Sequence, residues 1–296
     1  MKKLRVCFSL GLTLVLYLAA SVSSQAAILR VPDDYATIQA AVANAQNGDI
    51  IQVSAGLYFG QVTVNKSISI KGEGADSTFL QVNPNESGFV IIADDVSISE
   101  FTISGATDFQ KSGILIGGEF PGDTRYIGIG YAMISKCTIQ HNCAGIYIWK
   151  AHDCMVVNNV IRHNEAIPMN IDGGNGIIVW EGPSTNNSFV NNDINYNFKY
   201  GLFIGGETIA SYEGSKVTAN TFYRNGAYWG LYGRGDFNWL AIGFMNANGK
   251  IMVSGNKIFP TASGMDVWIW NSPDVKVTGN PVYKAKGPHV PIPTGY

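Results

Sequence analysis

Two consecutive stretches of this 296-residue chain carry the same pattern of residues. Residues 145–164 and 176–197 each contain a glycine, a short alternating apolar run, a polar turn and a second apolar run closed by asparagine. Weaker copies lie on both sides of these two stretches. A unit of short strands and fixed turns that recurs along a chain is typical of a solenoid, in which each repeat packs mainly against its neighbours.

The second apolar run of each repeat carries one position from which the period can be measured. It is occupied in turn by Phe101, Cys137, Asn159, Asn192, Asn220, Asn256 and Asn280. The separations are 36, 22, 33, 28, 36 and 24 residues, so the shortest indicate a bare coil and the longer ones carry loop insertions. Because the short strands do not alternate with helices, the pattern predicts a parallel β-helix. We expect the asparagines to hold left-handed backbone at corners and to stack into a ladder of amide hydrogen bonds.

The first 26 residues have the features of a secretory signal peptide. Lys2, Lys3 and Arg5 precede an apolar stretch, residues 6–20, that is short for a membrane span, and small residues precede a cleavage site after Ala26. The alternative is an uncleaved membrane anchor. Removing the three basic residues of the leader leaves 17 basic against 22 acidic residues, a formal net charge of −5. The sequence therefore predicts an exported protein, periplasmic or extracellular, that binds neither nucleic acid nor, once the leader is removed, a membrane.

Residues 27–48 are predicted to form an N-terminal cap with a short helix. The apolar positions of this segment follow helical spacing: Ile38, Ala41, Val42 and Ala45. Thr37 or Asp34 is the expected N-cap, and Asn47-Gly48 the expected left-handed stop. Such a helix would cover the open end of the first coil. Residues 49–284 are then the β-helix, and residues 285–296 a C-terminal tail.

A family resemblance rests on two segments. Residues 37–74, TIQAAVANAQNGDIIQVSAGLYFGQVTVNKSISIKGEG, resemble the first coils of the pectin-lyase-like, right-handed parallel β-helix superfamily. They are similar to the opening of pectinesterases and of periplasmic β-helix proteins that assist copper-site maturation. Residues 113–282 resemble the superfamily's generic repeat. The resemblance implies an all-β fold, a single right-handed parallel β-helix with an N-terminal capping helix.

The resemblance does not select an activity, because this superfamily includes lyases, hydrolases, esterases, epimerases and non-enzymatic adhesins. The segment Gly56-Leu57-Tyr58-Phe59-Gly60 resembles the Gly-x-Tyr-x-Glu corner of pectinesterases but lacks its acid. The Asp-Pro-His-Glu motif of alginate epimerases is absent from the sequence. So are the Asn-Thr-Asp and Gly-His-Gly motifs of polygalacturonases.

An aromatic face is predicted along the strands that follow the repeat glycines. If Ile146 and Ile148 point inwards, Tyr147 and Trp149 face solvent, because side chains alternate along a strand. The same phase selects further side chains for a substrate-binding face: Trp180, Phe203, Tyr232, Trp268 and Trp270. Exposed rings in a row indicate a ligand, and a polysaccharide suits flat rings beside polar groups. The alternative is that loops 118–128 and 206–214 fold over this face and bury it.

Charged residues follow the same strands and are the candidates for chemistry. They are Glu119, Lys150, Glu181, Glu207, Arg234 and Asp236, of which Lys150 is assigned to substrate binding and Glu181, Glu207, Arg234 and Asp236 to catalysis. Adjacent coils would place such groups roughly 5 Å apart and alternate coils roughly 10 Å, the spacings of retaining and inverting carboxylate pairs. For a lyase, Arg234 or Lys150 would be the base. Clustered carboxylates could instead hold Ca²⁺. The alternative is solvated strand ends with Lys150 paired to a glutamate.

Cysteine and histidine give weaker predictions. Cys137, Cys143 and Cys154 remain after the leader, and we expect buried thiols, although one oxidised pair is compatible with export. His141 and His163 occupy the same repeat position. They are expected to stack on the surface, with a metal such as copper as the alternative.

We therefore predict an exported β-helix protein that binds polysaccharide on its aromatic face. Binding alone and cleavage of the lyase or glycoside hydrolase type both stay open at this point. The alternative is a non-enzymatic scaffold, adhesin or metal-site accessory protein of the periplasm or cell surface. The sequence sets neither the glycan nor the oligomeric state.

Overall fold

The structure is a computed structural model that describes residues 26–118, 128–165, 173–226, 241–259 and 267–281. In these ranges the chain forms short parallel strands and one short helix. The predicted signal peptide, apart from Ala26, and the predicted tail lie outside the described residues, so both remain predictions.

The strands of the described residues form three sheets, and each full coil after the N-terminal cap contributes one strand to each sheet in turn. Labels follow chain order. The first sheet contains β1 (Ile28–Val31), β2 (Ile50–Val53), β5 (Ser69–Gly72), β8 (Ser97–Ser99), β11 (Met133–Ser135), β14 (Met155–Val157), β17 (Ser188–Val190), β20 (Lys216–Thr218), β23 (Ile251–Ser254) and β26 (Val275–Thr278). The second contains β3 (Gly56–Phe59), β6 (Thr78–Gln81), β9 (Thr102–Ser104), β12 (Thr138–Gln140), β15 (Val160–Arg162), β18 (Asp193–Asn195), β21 (Thr221–Tyr223) and β24 (Lys257–Ile258). The third contains β4 (Val62–Val64), β7 (Phe89–Ile91), β10 (Ser112–Ile116), β13 (Ala144–Trp149), β16 (Asn175–Trp180), β19 (Leu202–Ser211), β22 (Ile242–Asn248) and β25 (Val267–Trp270).

The core lies inside the coils and is made of apolar side chains stacked in register. In the first sheet Ile98 pairs with Ile134, and Ile134 with Val156; all three are fully buried. Because equivalent residues of neighbouring coils lie about 4.8 Å apart, one apolar position per strand becomes a continuous row along the axis. The predicted parallel β-helix is confirmed.

The predicted asparagine ladder is also confirmed. The backbone N–H of Asn159 donates to Oδ1 of Asn192 (3.0 Å), and that of Asn192 donates to Oδ1 of Asn220 (2.9 Å). The ladder continues through Asn256 and Asn280, and the N–H of Cys137 joins its other end. A second ladder connects Asn142, Asn164, Asn197 and Asn225.

The backbone prediction for the first ladder was wrong in one respect. Left-handed backbone is held not by the ladder asparagines but by the residues before them, such as Asn158 (φ 59°), Asn191 (φ 54°) and Ala219 (φ 57°). The physical reason is burial. The ladder amides are buried and bond to backbone groups of neighbouring coils, so the preceding residue has to make the turn.

The N-terminal cap contains the predicted helix, α1 (Ile38–Asn44). Thr37 is its N-cap, since its Oγ1 accepts the N–H of Ala40 (3.1 Å). The predicted stop at Asn47-Gly48 is wrong, because the helix ends earlier, at Asn44. Lys66 Nζ binds three carbonyl oxygens at that end: those of Val42 (3.0 Å), Ala43 (2.8 Å) and Ala45 (2.6 Å). A cation there also complements the helix dipole.

Candidate functional site

The outer face of the third sheet carries the predicted aromatic residues. The pairing register aligns Tyr147 with Ile178 and then Phe203, and Trp149 with Trp180. Ile146 and Ile148 are fully buried in the core, so the alternation predicted from the sequence is confirmed. The aromatic residues form a second apolar cluster, separate from the core, together with Leu115 and Val90.

The prediction that the first of these rings face solvent is wrong. Tyr147 is 9% exposed, Trp149 4% and Phe203 4%. Their rings pack together in the second apolar cluster, where those of Tyr147 and Trp149 stack at 6.5 Å between centroids. Of the two predicted covering loops, 118–128 lies mostly outside the described residues. Residues 206–211 are not a loop but continue β19.

The face becomes more accessible towards the C-terminal coils. Trp180 and Trp268 are half-buried and Trp270 is 56% exposed. The Trp180 ring lies 5.8 Å from that of Phe203, and the Trp268 ring 6.0 Å from that of Trp270. An indole that keeps one accessible surface while its neighbours hold it in place is a suitable contact for an apolar ligand surface.

Glycine 243 makes room for one ring of this face. A Cβ at Gly243 would lie 2.8 Å from Cε1 of Tyr200 and 3.1 Å from Cδ2 of Phe203. The Tyr200 ring in turn lies 4.9 Å from that of Phe203. Burial raises the pKa of Tyr200 to about 12. The tyrosine therefore stays neutral in this apolar setting.

A column of polar residues borders the outer face where the strands end. The register that pairs Trp149 with Trp180, Gly205, Met245 and Trp270 places the next residue of each strand in one row. That row is Lys150, Glu181, Gly206, Asn246 and Asn271. Its four non-glycine members all hold left-handed backbone, with φ between 47° and 56°. The left-handed backbone turns the chain at this column, including at Asn246, which lies within β22.

Lys150 and Glu181 form an ion pair in this column, as one of the two sequence interpretations proposed. Nζ of Lys150 lies 3.5 Å from Oε2 of Glu181, and both side chains are about three-quarters buried. Nζ also lies 5.2 Å from the centroid of the Trp149 ring, within cation–π range. The Lys150 side chain thus lies between a carboxylate and an indole, and its role as the base of a lyase stays a prediction.

The sequence interpretation missed the two asparagines of the column. Nδ2 of Asn246 donates to the carbonyl oxygens of Gly206 (3.0 Å) and Glu207 (3.2 Å), and Nδ2 of Asn271 donates to Oδ1 of Asn246 (2.7 Å). Asn246 lies within β22, one residue after Met245 in the segment GFMN, and Asn271 directly follows β25 in the segment WIWN. That position, equivalent to Lys150 and Glu181, was the signal that could have identified them.

The candidate catalytic residues are only partly brought together. Glu181 is in the ion pair, and Glu207 is exposed one position beyond Gly206, the neighbour of Glu181 in the column. Arg234 and Asp236, Glu119 and the predicted binding residue Tyr232 all lie outside the described residues. Their roles remain predictions.

Metal-binding groups do not cluster in the described residues. In those ranges there is no set of three or more histidine, cysteine or acidic side chains placed to hold an ion. The His141 and His163 rings stack, as predicted, with centroids 5.8 Å apart, and His163 also stacks on Tyr196. Burial lowers the pKa of His163, and the neighbouring imidazole of His141 adds to this effect.

All three predicted cysteines are buried and unpaired. Burial raises the pKa of the Cys137 and Cys154 thiols to about 12. Neither is therefore a nucleophile at neutral pH.

Within the described part of the chain, no helix is both long and apolar enough to cross a membrane.

Comparison with known proteins agrees with the fold. A family model described as the right-handed β-helix region matches residues 66–238. A DFA-IIIase from Arthrobacter chlorophenolicus A6, solved without its lid in complex with GF2, superposes with a TM-score of 0.65 at 14% identity, covering 90% of this chain and 74% of that one. An alginate lyase from Paenibacillus sp. str. FPU-7 (TM-score 0.57, 15% identity, 83% of this chain, 94% of that one) and a pectate lyase (0.57, 14%, 82% and 72%) are also similar. At these identities the likeness establishes the fold alone. No curated protein sequence matches the chain.

Proposed function

The chain belongs to the family of right-handed β-helix proteins, and we propose that it is an exported member that binds polysaccharide. The fold is shared with the DFA-IIIase, the alginate lyase and the pectate lyase described above, which supports a carbohydrate-active role. The observation that carries the proposal is that one outer face holds three half-buried or exposed tryptophans, Trp180, Trp268 and Trp270, beside a polar column.

The indoles provide the apolar part of the site. Each ring is held on one side by its neighbours, Trp180 by Phe203 and Trp268 by Trp270. Ordering a ring before the ligand arrives lowers the entropy that binding loses. A sugar ring laid on the accessible surface of Trp270 would remove apolar area from water on both partners.

The polar column provides the hydrogen-bonding part. Asn246 and Asn271 present amide groups beside Trp270, and the Lys150–Glu181 pair lies beside Trp180. Amides both donate and accept, as sugar hydroxyls do. Because the lysine is already paired and Glu207 adds a negative charge, the described residues of this border carry no excess of positive charge. It therefore suits a neutral glycan better than a polyuronate.

The binding proposal is tested by affinity electrophoresis in gels that contain neutral or uronate polysaccharides. Trp270→Ala removes an indole that is 56% exposed. If a ligand covers about half of the accessible indole, roughly 50 Å² at about 25 cal/mol per Å², binding should weaken by about 1.3 kcal/mol, close to tenfold. Trp180→Ala should also weaken retention. Met155→Ala, 45% exposed on the first sheet, is the matched control and should bind as the native protein does.

A native protein that none of these glycans retards would contradict the proposal, as would equal retention of the native protein and both tryptophan variants. Cleavage is a separate question and is measured as new reducing ends or as absorbance of an unsaturated product. If cleavage occurs, Glu181→Gln and Glu207→Gln should lower its rate while retention in the gel persists. For export, the N-terminus of protein recovered from the periplasm or the medium should be Ala27.

A further inference from the structure

The three sheets end differently at the N-terminal end of the solenoid. The first sheet ends in β1, which the cap adds next to β2. At the end of the third sheet, Gln39 of α1 takes the place of a strand. Its Oε1 accepts the N–H of Thr63 (2.7 Å), and its Nε2 donates to the carbonyl oxygen of Thr63 (3.4 Å). The second sheet ends in β3, which among the described strands is paired with β6 alone.

The free edge of β3 presents backbone groups and apolar side chains. The N–H groups of Gly56 and Gly60 donate towards the β6 side, to Ser77 and Gln81. Backbone groups of successive residues point to opposite sides of a strand, so those of Leu57 and Phe59 point to the free edge. The side chains of Leu57 and Phe59 are 53% and 71% exposed. An edge of this kind is a template for pairing with another segment.

A groove runs beside this edge. It has a volume of about 330 Å³ and lies between the first turn of α1 and β3. Its apolar wall is formed by Ala36, Ile38, Leu57, Phe59, Val62 and Leu80. The cap coil supplies a strand to the first sheet and a helix to the third, but only the turn between β1 and α1 to the second. The groove is therefore the place of a missing strand.

The surroundings of the groove are acidic. Tyr58 lines the groove, and burial raises the pKa of its hydroxyl. The negative charges of Glu73 and Asp33 raise this pKa further. Both carboxylates belong to exposed residues. An extended segment that carries basic and apolar residues would match both features of the site.

The C-terminal segment of the chain, residues 282–296, has this composition. It contains Lys284, Lys286 and His289, several apolar residues and no acidic residue. It follows β26, at the opposite end of the first sheet from β1. The nine strand spacings between β26 and β1 amount to about 43 Å. Residues 282–296 span about 50 Å when fully extended, so almost none of these fifteen residues would remain to pair with β3 of the same chain.

We propose that the C-terminal segment of a second copy of this chain docks along the free edge of β3 as an added strand. Main-chain hydrogen bonds to Leu57 and Phe59 hold it, and Lys284 and Lys286 lie near Asp33 and Glu73. The contact joins two different surfaces. Repetition of the contact therefore builds head-to-tail oligomers rather than a closed dimer, unless the rotation between copies closes a ring.

The test is sedimentation of the full mature chain over a range of concentrations. The weight-average mass should rise with concentration for the native protein. Phe59→Lys places a charge on the free edge and should abolish the rise. Met155→Lys, which puts the same charge on an exposed side chain of the first sheet, is the matched control and should self-associate as the native chain does.

Charge exchange identifies the occupant. Lys284→Glu with Lys286→Glu should weaken association by roughly tenfold, since two exposed attractions become repulsions. Adding Asp33→Lys and Glu73→Lys to that variant should restore it. A native protein that stays monomeric, or association that survives Phe59→Lys, would overturn the proposal. Association that keeps full strength in the Lys284→Glu, Lys286→Glu variant would also overturn the proposal. The occupant of the edge would then be another segment, such as residues 1–25.

Discussion

Asn192 is the position at which the ladder can be tested most sharply. It is 2% exposed and makes four hydrogen bonds through its side chain. Oδ1 accepts the backbone N–H and Nδ2 of Asn159 (both 3.0 Å), and Nδ2 donates to the carbonyl oxygen of Val156 (2.8 Å) and to Oδ1 of Asn220 (2.9 Å). In Asn192→Ala, the N–H of Asn159 and the carbonyl of Val156 lose these partners inside the solenoid. At about 1–3 kcal/mol for each buried orphan, the free energy of unfolding should fall by about 4 kcal/mol.

The assay is urea denaturation of the mature protein, combined with hydrogen exchange at the amide of Asn159. Asn191→Gly is the matched control, because Asn191 is the adjacent residue, is exposed, and its Nδ2 donates a hydrogen bond to Oδ1 of Asn158 (2.7 Å). Glycine accepts its left-handed backbone, so this variant should lose less than about 1 kcal/mol. Equal losses at positions 191 and 192, or unchanged exchange at Asn159, would refute the account of the ladder.

Three other predictions concern groups outside the aromatic face. Cys137 and Cys154, whose pKa values burial raises to about 12, should resist iodoacetamide at pH 8 in the folded protein and react in urea, as mass spectrometry would detect. The pKa of His163 is lowered in the folded state, so on acidification the unfolded chain takes up the proton at a higher pH than the folded protein does. The free energy of unfolding should therefore decline as pH falls below about 6.5. His163→Phe should reduce that decline in urea titrations. Lys66→Met should lower the unfolding free energy by about 1–2 kcal/mol, because three carbonyl oxygens at the end of α1 lose a charged donor; a thermal melt would measure it.

Much of the fold could be predicted because the same residue pattern recurs in successive coils of a solenoid. One asparagine in one coil has many interpretations, but the same position in five coils has few, and the ladder from Asn159 to Asn280 follows from it. The end of α1 could not be predicted in this way. Lys66, a residue of the next coil, binds the carbonyl oxygens at that end. A contact from another coil cannot be predicted from the residue pattern of the helix itself.

The site was predictable in phase but not in exposure. Alternation along β13 correctly places Ile146 inside and Tyr147 outside the core. Whether an outward ring meets solvent depends on what else packs on that face, and Trp149 at 4% exposed and Trp270 at 56% hold equivalent positions in different coils. Register alone cannot distinguish them. The difference arises from tertiary packing, which periodicity does not encode.

A crystal structure of the mature protein, soaked with oligosaccharides of a glycan that retards it in the gel, would show whether a glycan lies on the outer face of the third sheet. We expect a sugar ring on Trp270, with hydroxyls within hydrogen-bond distance of Asn246 or Asn271 and the glycan chain directed towards Trp180. A sugar bound at another surface, with Trp180 and Trp270 uncontacted, would contradict the proposed binding site.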